Sequence, residues 1–308
     1  MTVYVLRVLV KMAITLFVIV SATFLATRLS GSPLETFLGE GLTAEGRQAL
    51  IDYFDLDRSL WHQYLAYLRG VLSGEFGLGF VERRPVTEIV ADRIWPSLQL
   101  LLASIGLTLA VSIPLGVIAA VYRKHWIGSA VMVLAFTGYA VPAFVLAIFM
   151  ILVFSYTLNW LPVVGNGSAA HFIMPTIAMS GVLIAALTRF TRNAMLDVLG
   201  QDFIRTARAK GLPELWVVLK HGLGNASITV ISVIGLQIAG LAAAGSVVVE
   251  SIFSWPGIGE LLVTSAIVRD YPLLQFGVIT VAVAVVVINA ITDIAYALAD
   301  PRIRLARS

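Results

Sequence analysis

The sequence of 308 residues contains no cysteine, only four histidines and few charged side chains. Without cysteine, disulfides and thiolate metal or redox sites are excluded, and His62, His125, His171 and His221 are too scattered for metal-ligand spacing. Charged residues make up 13% of the chain, about half of what soluble domains usually carry, whereas 59% of the residues are hydrophobic. This composition excludes an ordinary soluble domain and indicates a polytopic membrane protein.

Six apolar stretches are long enough, or nearly so, to cross a bilayer as helices of about 20 residues. They cover residues 8–27, 98–121, 127–156, 172–187, 226–249 and 276–298. The fourth is short and carries Pro175 near its start, and the third contains Pro142, where we expect a kink or a tilt. The sequence therefore predicts an all-α membrane protein with six transmembrane helices.

The distribution of lysine and arginine predicts that both termini are cytoplasmic. With the N-terminus inside, 13 of the 21 basic residues are cytosolic, and six of the other eight fall in one long loop, where the positive-inside rule has little force. Lys11 shortens the first apolar run and no convincing cleavage site follows it, so we expect an uncleaved span. The predicted organisation is a first helix at 1–28, an external loop at 29–96, a five-helix core at 97–300 with a cytoplasmic loop at 189–225, and a cytoplasmic tail at 301–308.

The long external loop contains a pattern of its own. Apolar residues from Trp61 to Leu72 recur at helical spacing after a possible cap at Ser59. The pattern predicts an amphipathic helix on the outer surface. Its role stays open between a docking platform or lid and a helix that only covers the bundle, because amphipathicity reports an interface and not its purpose.

Residues 202–225 form the most informative segment, a basic helix-break-helix hairpin between two apolar runs. Good helix formers precede Gly211, which is expected to end the first helix as a left-handed cap, and Pro213 is expected to start the second. A rigid polar element that faces the cytosol predicts a docking site for a partner that delivers force or a signal. The alternative is a solvated positive loop that only fixes the topology.

Ionisable residues are rare inside the predicted spans, which argues against transport driven by protons or by sodium ions on buried carboxylates. Gln237 lies among small residues of the fifth span, and Asn289 lies in the sixth. We take both as candidate residues of a substrate pathway. Tight helix packing and interhelical hydrogen bonding are the alternative roles.

The sequence shows no pattern of catalysis: it lacks a nucleophile with an ordered base, a zinc-protease helix motif and a phosphate-binding loop. We therefore do not expect an enzyme. If ATP hydrolysis powers transport, the nucleotide must bind to another subunit, and the basic hairpin is the obvious place for that subunit to dock.

Five short motifs along the chain carry a family resemblance. In chain order they are WLP at 160–162 before Gly165, RTARAKG at 205–211, ESIFSWPGIG at 250–259, RDYP at 269–272 and DPRIR at 300–304. With six spans, they resemble the transmembrane permease subunits of bacterial ABC importers of the dipeptide, oligopeptide and nickel class. Arg205 replaces the general family's glutamate, and Gly224 replaces its later proline. The long first loop resembles the first-listed, or "B", permease of such systems.

The resemblance implies a type I ABC importer permease fold in the bacterial inner membrane. It implies that the chain pairs with a second permease, two ATP-binding subunits and an external substrate-binding protein, with no cofactor. Peptides are the first choice of cargo. Nickel complexes, haem or another small solute remain open, as does an ion-coupled secondary transporter, although the inverted repeats or ionisable cluster expected of that class are not found. Nothing suggests a nucleic-acid partner.

The same resemblance assigns two sets of site residues. The set that couples to the ATPase comprises Arg205, Thr206, Ala207, Arg208, Ala209, Lys210, Gly211 and Leu212. The set expected at an external gate or at a contact with the binding protein comprises Trp255, Pro256, Gly257, Asp270 and Tyr271. For the second set, a segment that only packs the ends of spans five and six is the alternative.

Overall fold

The computed structural model describes residues 2–31, 48, 51, 57–242 and 246–299. The predicted cytoplasmic tail at 301–308, the DPRIR motif and much of the predicted external loop lie outside these residues. Within the described part of the chain the structure is helical, and extended pairing is limited to one isolated antiparallel bridge between Leu78 and Pro85.

In the described parts of the chain twelve α-helices are numbered in chain order, and two of them continue as π-helices. They are α1 (Thr2–Leu29), α2 (Leu60–Ser73), α3 (Val86–Val121), α4 (Trp126–Ala140), α5 (Ala143–Met150, continued by π-helical Ile151–Thr157), α6 (Ala169–Leu199), α7 (Asp202–Ala209), α8 (Glu214–Trp216, continued by π-helical Val217–Leu223), α9 (Gly224–Gly240), α10 (Ser246–Ile252), α11 (Ile258–Ile267) and α12 (Tyr271–Ala299).

Four helical segments are long and apolar enough to cross a membrane: Val8–Leu29, Val86–Val121, Ala169–Leu199 and Tyr271–Thr292. A fifth span results if Trp126–Ala140 and Ala143–Thr157, which meet at an angle of 95°, are taken together. This angle confirms the expected kink at Pro142. The helix breaks there because proline lacks the N–H that would continue it. The described residues support four or five spans, so the fifth predicted span, at 226–249, stays a prediction.

The fourth apolar stretch is much longer than the sequence indicates. It was predicted at 172–187, whereas α6 runs over 31 residues, from Ala169 to Leu199. Pro175 lies inside the helix, in its second turn, and removes one backbone hydrogen bond without ending it. At the N-terminus, Ser168 and His171 form a capping box, which fixes the start of the helix.

The chain forms two compact units. The first comprises Met1–Ser97 and Pro256–Ala284, and the second comprises Leu98–Trp255 and Val285–Ser308. Each unit has apolar clusters of its own. In the first unit the buried cluster consists of Val86, Ile89, Val90, Leu261 and Leu273.

Polar bonds join distant parts of the chain within the first unit. The Ser97 hydroxyl accepts a hydrogen bond from the backbone N–H of Ile258 at 2.8 Å, at the start of α11. The Gln275 amide donates to the Thr27 hydroxyl at 2.7 Å and so links α12 to α1. These bonds satisfy polar groups that would otherwise be costly to bury.

In the second unit, α6 is the central element, and α4, α5, α9 and α10 pack against it. Small residues permit close approaches there. A Cβ atom at Gly116 would lie 2.5 Å from Cβ of Thr191, so α3 can contact α6 only because this position is glycine. A Cβ atom at Gly235 would likewise overlap the Thr292 side chain. Gly235 belongs to the fifth apolar stretch, so a small residue at this position permits close helix packing.

Candidate functional site

The basic hairpin, residues 202–225, has the local structure that its sequence predicts. Helix α7 ends with Lys210 in a helical conformation and Gly211 at φ +76°, a left-handed angle that favours glycine. The N–H of Gly211 donates to the Arg208 carbonyl at 2.9 Å. Pro213 then caps α8, and its carbonyl accepts a bond from the N–H of Val217 at 3.0 Å. The turn between the two helices is therefore tight and defined.

One face of the hairpin is buried against the end of α6. Ile204, Ala207 and Val217 form an apolar cluster with Val198 and Leu199, the last residues of α6. Ile204 and Val217 are completely inaccessible to solvent. Ala207, a member of the set predicted to couple to the ATPase, instead belongs to this buried inner face. The hairpin is thus packed onto the central helix of its unit and is not a loosely tethered loop.

A bidentate ion pair closes the turn. Arg208 donates from Nε to Oε2 of Glu214 at 3.0 Å and from Nη2 to Oε1 at 2.6 Å. The hydrogen bonds from Arg208 hold the pKa of the Glu214 carboxyl below its usual range. Both side chains are about half exposed, so the pair contributes no more than about 1 kcal/mol. Arg208 therefore bonds to a carboxylate of its own hairpin, a role the sequence analysis missed.

The outer face of the hairpin combines apolar and basic side chains. The exposed apolar residues are Phe203, Leu212, Leu215, Trp216 and Leu219, and Leu215 is the most exposed at 71%. The exposed basic residues are Arg205, Arg208, Lys210 and Lys220. Lys220 Nζ lies 4.9 Å from the centre of the Trp216 ring. An exposed apolar patch with a charged rim is typical of a protein interaction surface.

The predicted gate residues are mostly interior. Trp255 is fully buried in the second unit, where its ring meets that of Phe172 edge to face at 4.5 Å. Pro256 and Gly257 belong to the first unit and precede α11, with Gly257 as its N-terminal cap residue. A buried tryptophan at this position packs helices and offers no free surface to another protein.

Asp270 and Tyr271 are also buried, with 1% and 6% of their surface exposed. The Asp270 carboxylate accepts hydrogen bonds from the N–H groups of Phe80 at 2.6 Å, Val81 at 3.4 Å and Leu273 at 3.3 Å. Burial raises the pKa of Asp270, although these three bonds oppose the rise. The carboxylate thus fixes a loop that lies about 190 residues earlier, which no local sequence signal reveals.

The two predicted pathway residues do not share one site. Gln237 lines a cavity of about 10 Å³, together with residues of α3 and α6 such as Thr108 and Leu187. That volume holds about one water molecule. Asn289 is half-buried on α12 and is not among the residues around this cavity. In this conformation the cavity at Gln237 is too small for a solute.

No group of three or more histidine, aspartate or glutamate side chains is placed to hold a metal ion in the described part of the chain.

Comparison with known proteins gives a consistent result. Residues 112–305 match the family described as binding-protein-dependent transport system inner membrane component. Over 302 residues, the chain is 41% identical to the glutathione transport system permease protein GsiC of Shigella flexneri serotype 5b (strain 8401). It is 40% identical over 302 residues to GsiC of Escherichia coli (strain K12), and each alignment covers 98% of both chains.

A solved structure shares the fold. The MetNI methionine ABC transporter, solved in inward-facing conformations, matches with a TM-score of 0.60 at 17% identity. The match covers 70% of this chain and 98% of that chain. At this level of identity the similarity concerns the fold alone.

Proposed function

The chain belongs to the family of binding-protein-dependent transport system inner membrane components and is a permease subunit of an ABC importer, and we propose that the basic hairpin is its coupling element. It is a transport subunit and not an enzyme, with the type I importer permease fold. The observation that carries the proposal is the exposed apolar and basic face of the hairpin, whose inner face is anchored on α6.

The partners follow from the composition of such importers. We propose a second permease, two ATP-binding subunits and an external substrate-binding protein. This chain has no phosphate-binding loop, so the ATPase must be separate. Residues 205–212 form the proposed contact: Arg205 and Lys210 face a groove on the ATPase with acidic partners, and the Arg208–Glu214 pair keeps the turn in shape.

The proposed mechanism is a change in population between two arrangements of the permease. Closure of the ATPases on ATP displaces the hairpin, and α6 carries the displacement into the helices packed around it. A shift from 1:99 to 99:1 requires about 5.5 kcal/mol of differential binding. Two nucleotides bound at one shared interface are a sufficient source of that free energy.

The proposed cargo is a small peptide of the glutathione kind. This rests on the 41% identity to a glutathione permease over nearly the whole of both chains. Titration of glutathione, a dipeptide and a nickel chelate against the partner binding protein by calorimetry tests it. Peptide binding supports the proposal, whereas binding of the nickel chelate alone contradicts it.

The proposed location is the bacterial inner membrane, with six spans and both termini in the cytosol. The chain contains no cysteine, so single cysteines report topology without background from the chain itself. Leu215 and Leu72 are exposed at 71% and 89%. We expect Leu72→Cys to react with an impermeant maleimide in intact spheroplasts and Leu215→Cys only after lysis. The reverse pattern would rule out a cytosolic hairpin.

For the predicted gate and pathway residues we propose a role through packing. The burial of Trp255, Asp270 and Tyr271 supports a part in setting the ends of the helices, and Gln237 and Asn289 contribute to a pathway that opens only in another conformation.

The coupling role has a matched test in two glycines. Gly211 and Gly74 each follow a short helix at nearly the same backbone angle, φ +76° and +77°, and a Cβ atom at either would meet no atom within 4 Å. Tryptophan therefore adds the same bulk and the same strain at both sites. In the reconstituted importer, we expect Gly211→Trp to abolish ATP hydrolysis stimulated by the loaded binding protein. Gly74→Trp should retain it, and full stimulation of the Gly211 variant refutes the docking role.

A further inference from the structure

Arg189 lies in α6, and among the described residues it makes no hydrogen bond and no ion pair. It is half-buried, and its guanidinium lies 5.1 Å from the centre of the Tyr139 ring. It is the first residue of the segment predicted to be cytoplasmic, so it lies near the predicted cytosolic end of this apolar helix.

A cavity of about 310 Å³ surrounds this guanidinium. Helix α4 supplies Met132, Val133, Phe136 and Tyr139 to its wall, and α6 supplies Ala185 and Arg189. The volume is at the lower end of those of small-molecule sites. Apart from Arg189 and the Tyr139 ring, the part of the wall formed by described residues is apolar and contains no carboxylate.

The charge in the described lining is that of Arg189. Arg192, one turn further along α6, donates to the Asn193 side chain at 3.4 Å and does not line the cavity. A planar guanidinium above an aromatic ring presents a fork of donors that matches a carboxylate, and the methionine, valine and phenylalanine side chains suit an aliphatic group beside it.

We propose that this cavity binds a carboxylate of the transported peptide, with Arg189 as the anion-binding residue and the α4 wall as the contact for its apolar part. The inference rests on the proposed function and adds that the permease itself selects for a free carboxylate. Arg189 lies 20 residues after Ala169, about 30 Å along α6 and towards the hairpin. With the hairpin in the cytosol, the site is at the end of the route where cargo is released.

The test uses the nucleotide-free complex of both permeases and both ATPases in phosphatidylcholine nanodiscs, without the binding protein. Equilibrium binding of glutathione is compared with that of its diethyl ester, which has no free carboxylate. We expect the wild-type complex to bind glutathione about tenfold or more tightly than the ester. Arg189→Gln should remove this preference, whereas Arg189→Lys should keep part of it. Arg192→Gln, one turn away, should leave it unchanged.

A second pair of variants keeps Arg189 intact. Val133 and Leu134 are neighbours of similar exposure, 66% and 68%, but only Val133 lines the cavity. We expect Val133→Trp to fill the cavity and weaken glutathione binding about tenfold, and Leu134→Trp to have no effect. This pair decides the question if the Arg189 variants do not assemble.

Three results would overturn the inference. They are equal binding of glutathione and ester by the wild type, a preference that survives Arg189→Gln, and loss of glutathione binding when phosphatidylglycerol is added, which would assign the cation to a lipid phosphate. ATP hydrolysis stimulated by the glutathione-loaded binding protein is measured on the same preparation. If stimulation is present while the carboxylate preference is absent, the anion site fails and the importer function stands.

Discussion

The basic hairpin and the α2 segment, residues 60–85, are built from the same parts. Each starts with a short amphipathic helix and ends it at a left-handed glycine, Gly211 at φ +76° and Gly74 at +77°. Each then has a carboxylate that holds the chain after the glycine. In the hairpin this is Glu214. For the α2 segment it is Asp270, which lies about 190 residues later in the chain and accepts hydrogen bonds from the backbone of the loop.

The two regions differ in whether that carboxylate is buried. Asp270 is buried, whereas Glu214 is about half exposed and bonds to Arg208. The rings of Tyr64 and Tyr67 in α2 pack on Phe24 of α1 at 5.3 and 5.4 Å, and burial raises the pKa of Tyr67 to about 12. Both regions leave apolar residues exposed, Leu215 and Trp216 in the hairpin and Trp61 and Leu72 in α2. Similar local structures are thus held in different ways, one by a buried carboxylate from a distant part of the chain and one by an exposed local ion pair.

The largest expected effect comes from removing the buried side chain that anchors one of the two regions while the other stays intact. Ile204→Ala removes the central side chain of the cluster that anchors the hairpin on α6 and should cost about 2–5 kcal/mol locally. We expect faster hydrogen exchange at residues 202–223 and loss of stimulated ATP hydrolysis. Phe24→Ala is the counterpart, because it should speed exchange at residues 60–73 and leave the hairpin protected. If either change spreads to the other region, the two are not independent.

The next effect concerns the buried carboxylate. Asp270→Ala removes the acceptor of the Phe80, Val81 and Leu273 N–H groups and should cost about 1–3 kcal/mol, with exchange at residues 80 and 81 as the measurement. Asp270→Asn keeps one acceptor oxygen and should cost less. Glu214→Gln should change the protection of the hairpin by no more than about 1 kcal/mol. Equal effects of the aspartate and glutamate changes would show that burial does not distinguish them.

The two capping glycines should respond equally in stability. Alanine at a left-handed position costs about 1–2 kcal/mol, and neither site has an atom near the new Cβ. Gly74→Ala and Gly211→Ala should therefore destabilise their helix ends by the same amount, measured by exchange at residues 70–76 and 207–213. A clear inequality would show that the two turns are held differently.

The smallest effect is an opposite response to acid. The pKa of Glu214 is lowered in the folded protein, so its stabilising contribution is present above its ordinary pKa of 4.5 and is lost as pH falls through the lowered value. The pKa of Asp270 is raised, so its contribution is full below its ordinary value of 3.8 and is lost as pH rises through the raised value. Acidification towards pH 3.8 should therefore increase protection at residues 80 and 81, whereas acidification below pH 4.5 should reduce protection in the hairpin.

The control for this pH dependence is the pair Asp270→Asn and Glu214→Gln. Each should remove the pH dependence of its own region, after correction of the exchange rates for the intrinsic effect of pH. If the response of residues 80 and 81 persists in Asp270→Asn, another group controls it.

Sequence reasoning succeeded where a single residue fixes the backbone around it. Ser59 caps α2, Pro142 breaks the third apolar stretch, and Gly211 with Pro213 shapes the hairpin. It failed where an element depends on distant contacts. The fourth stretch continues as helix beyond residue 187, because α4, α5 and α9 pack along α6 and compensate for its polar residues.

For the candidate site, too, the sequence predicted the local features and missed the contacts between distant residues. The turn and the basic character of the hairpin follow from residues 202–216 alone. The internal pairing of Arg208 required knowledge of how Glu214 is oriented, and the bonds of Asp270 to Phe80 and Val81 join positions about 190 residues apart. The cavity at Arg189 depends on the register between α4 and α6, which no periodicity reports.

The uninterrupted course of α6 has a consequence for when its two ends move. After Pro175 no proline occurs before Leu199, and the last turn packs against Ile204 of the hairpin. A stiff rod of 24 residues is about 36 Å long, and a tilt of 10° displaces its far end by about 6 Å. Arg189 lies on this rod ten residues before its last residue, Leu199. If the hairpin is the coupling element and Arg189 binds the cargo, as proposed, one displacement of the rod moves both of them, and the contact with the cargo changes at the same moment as the hairpin moves.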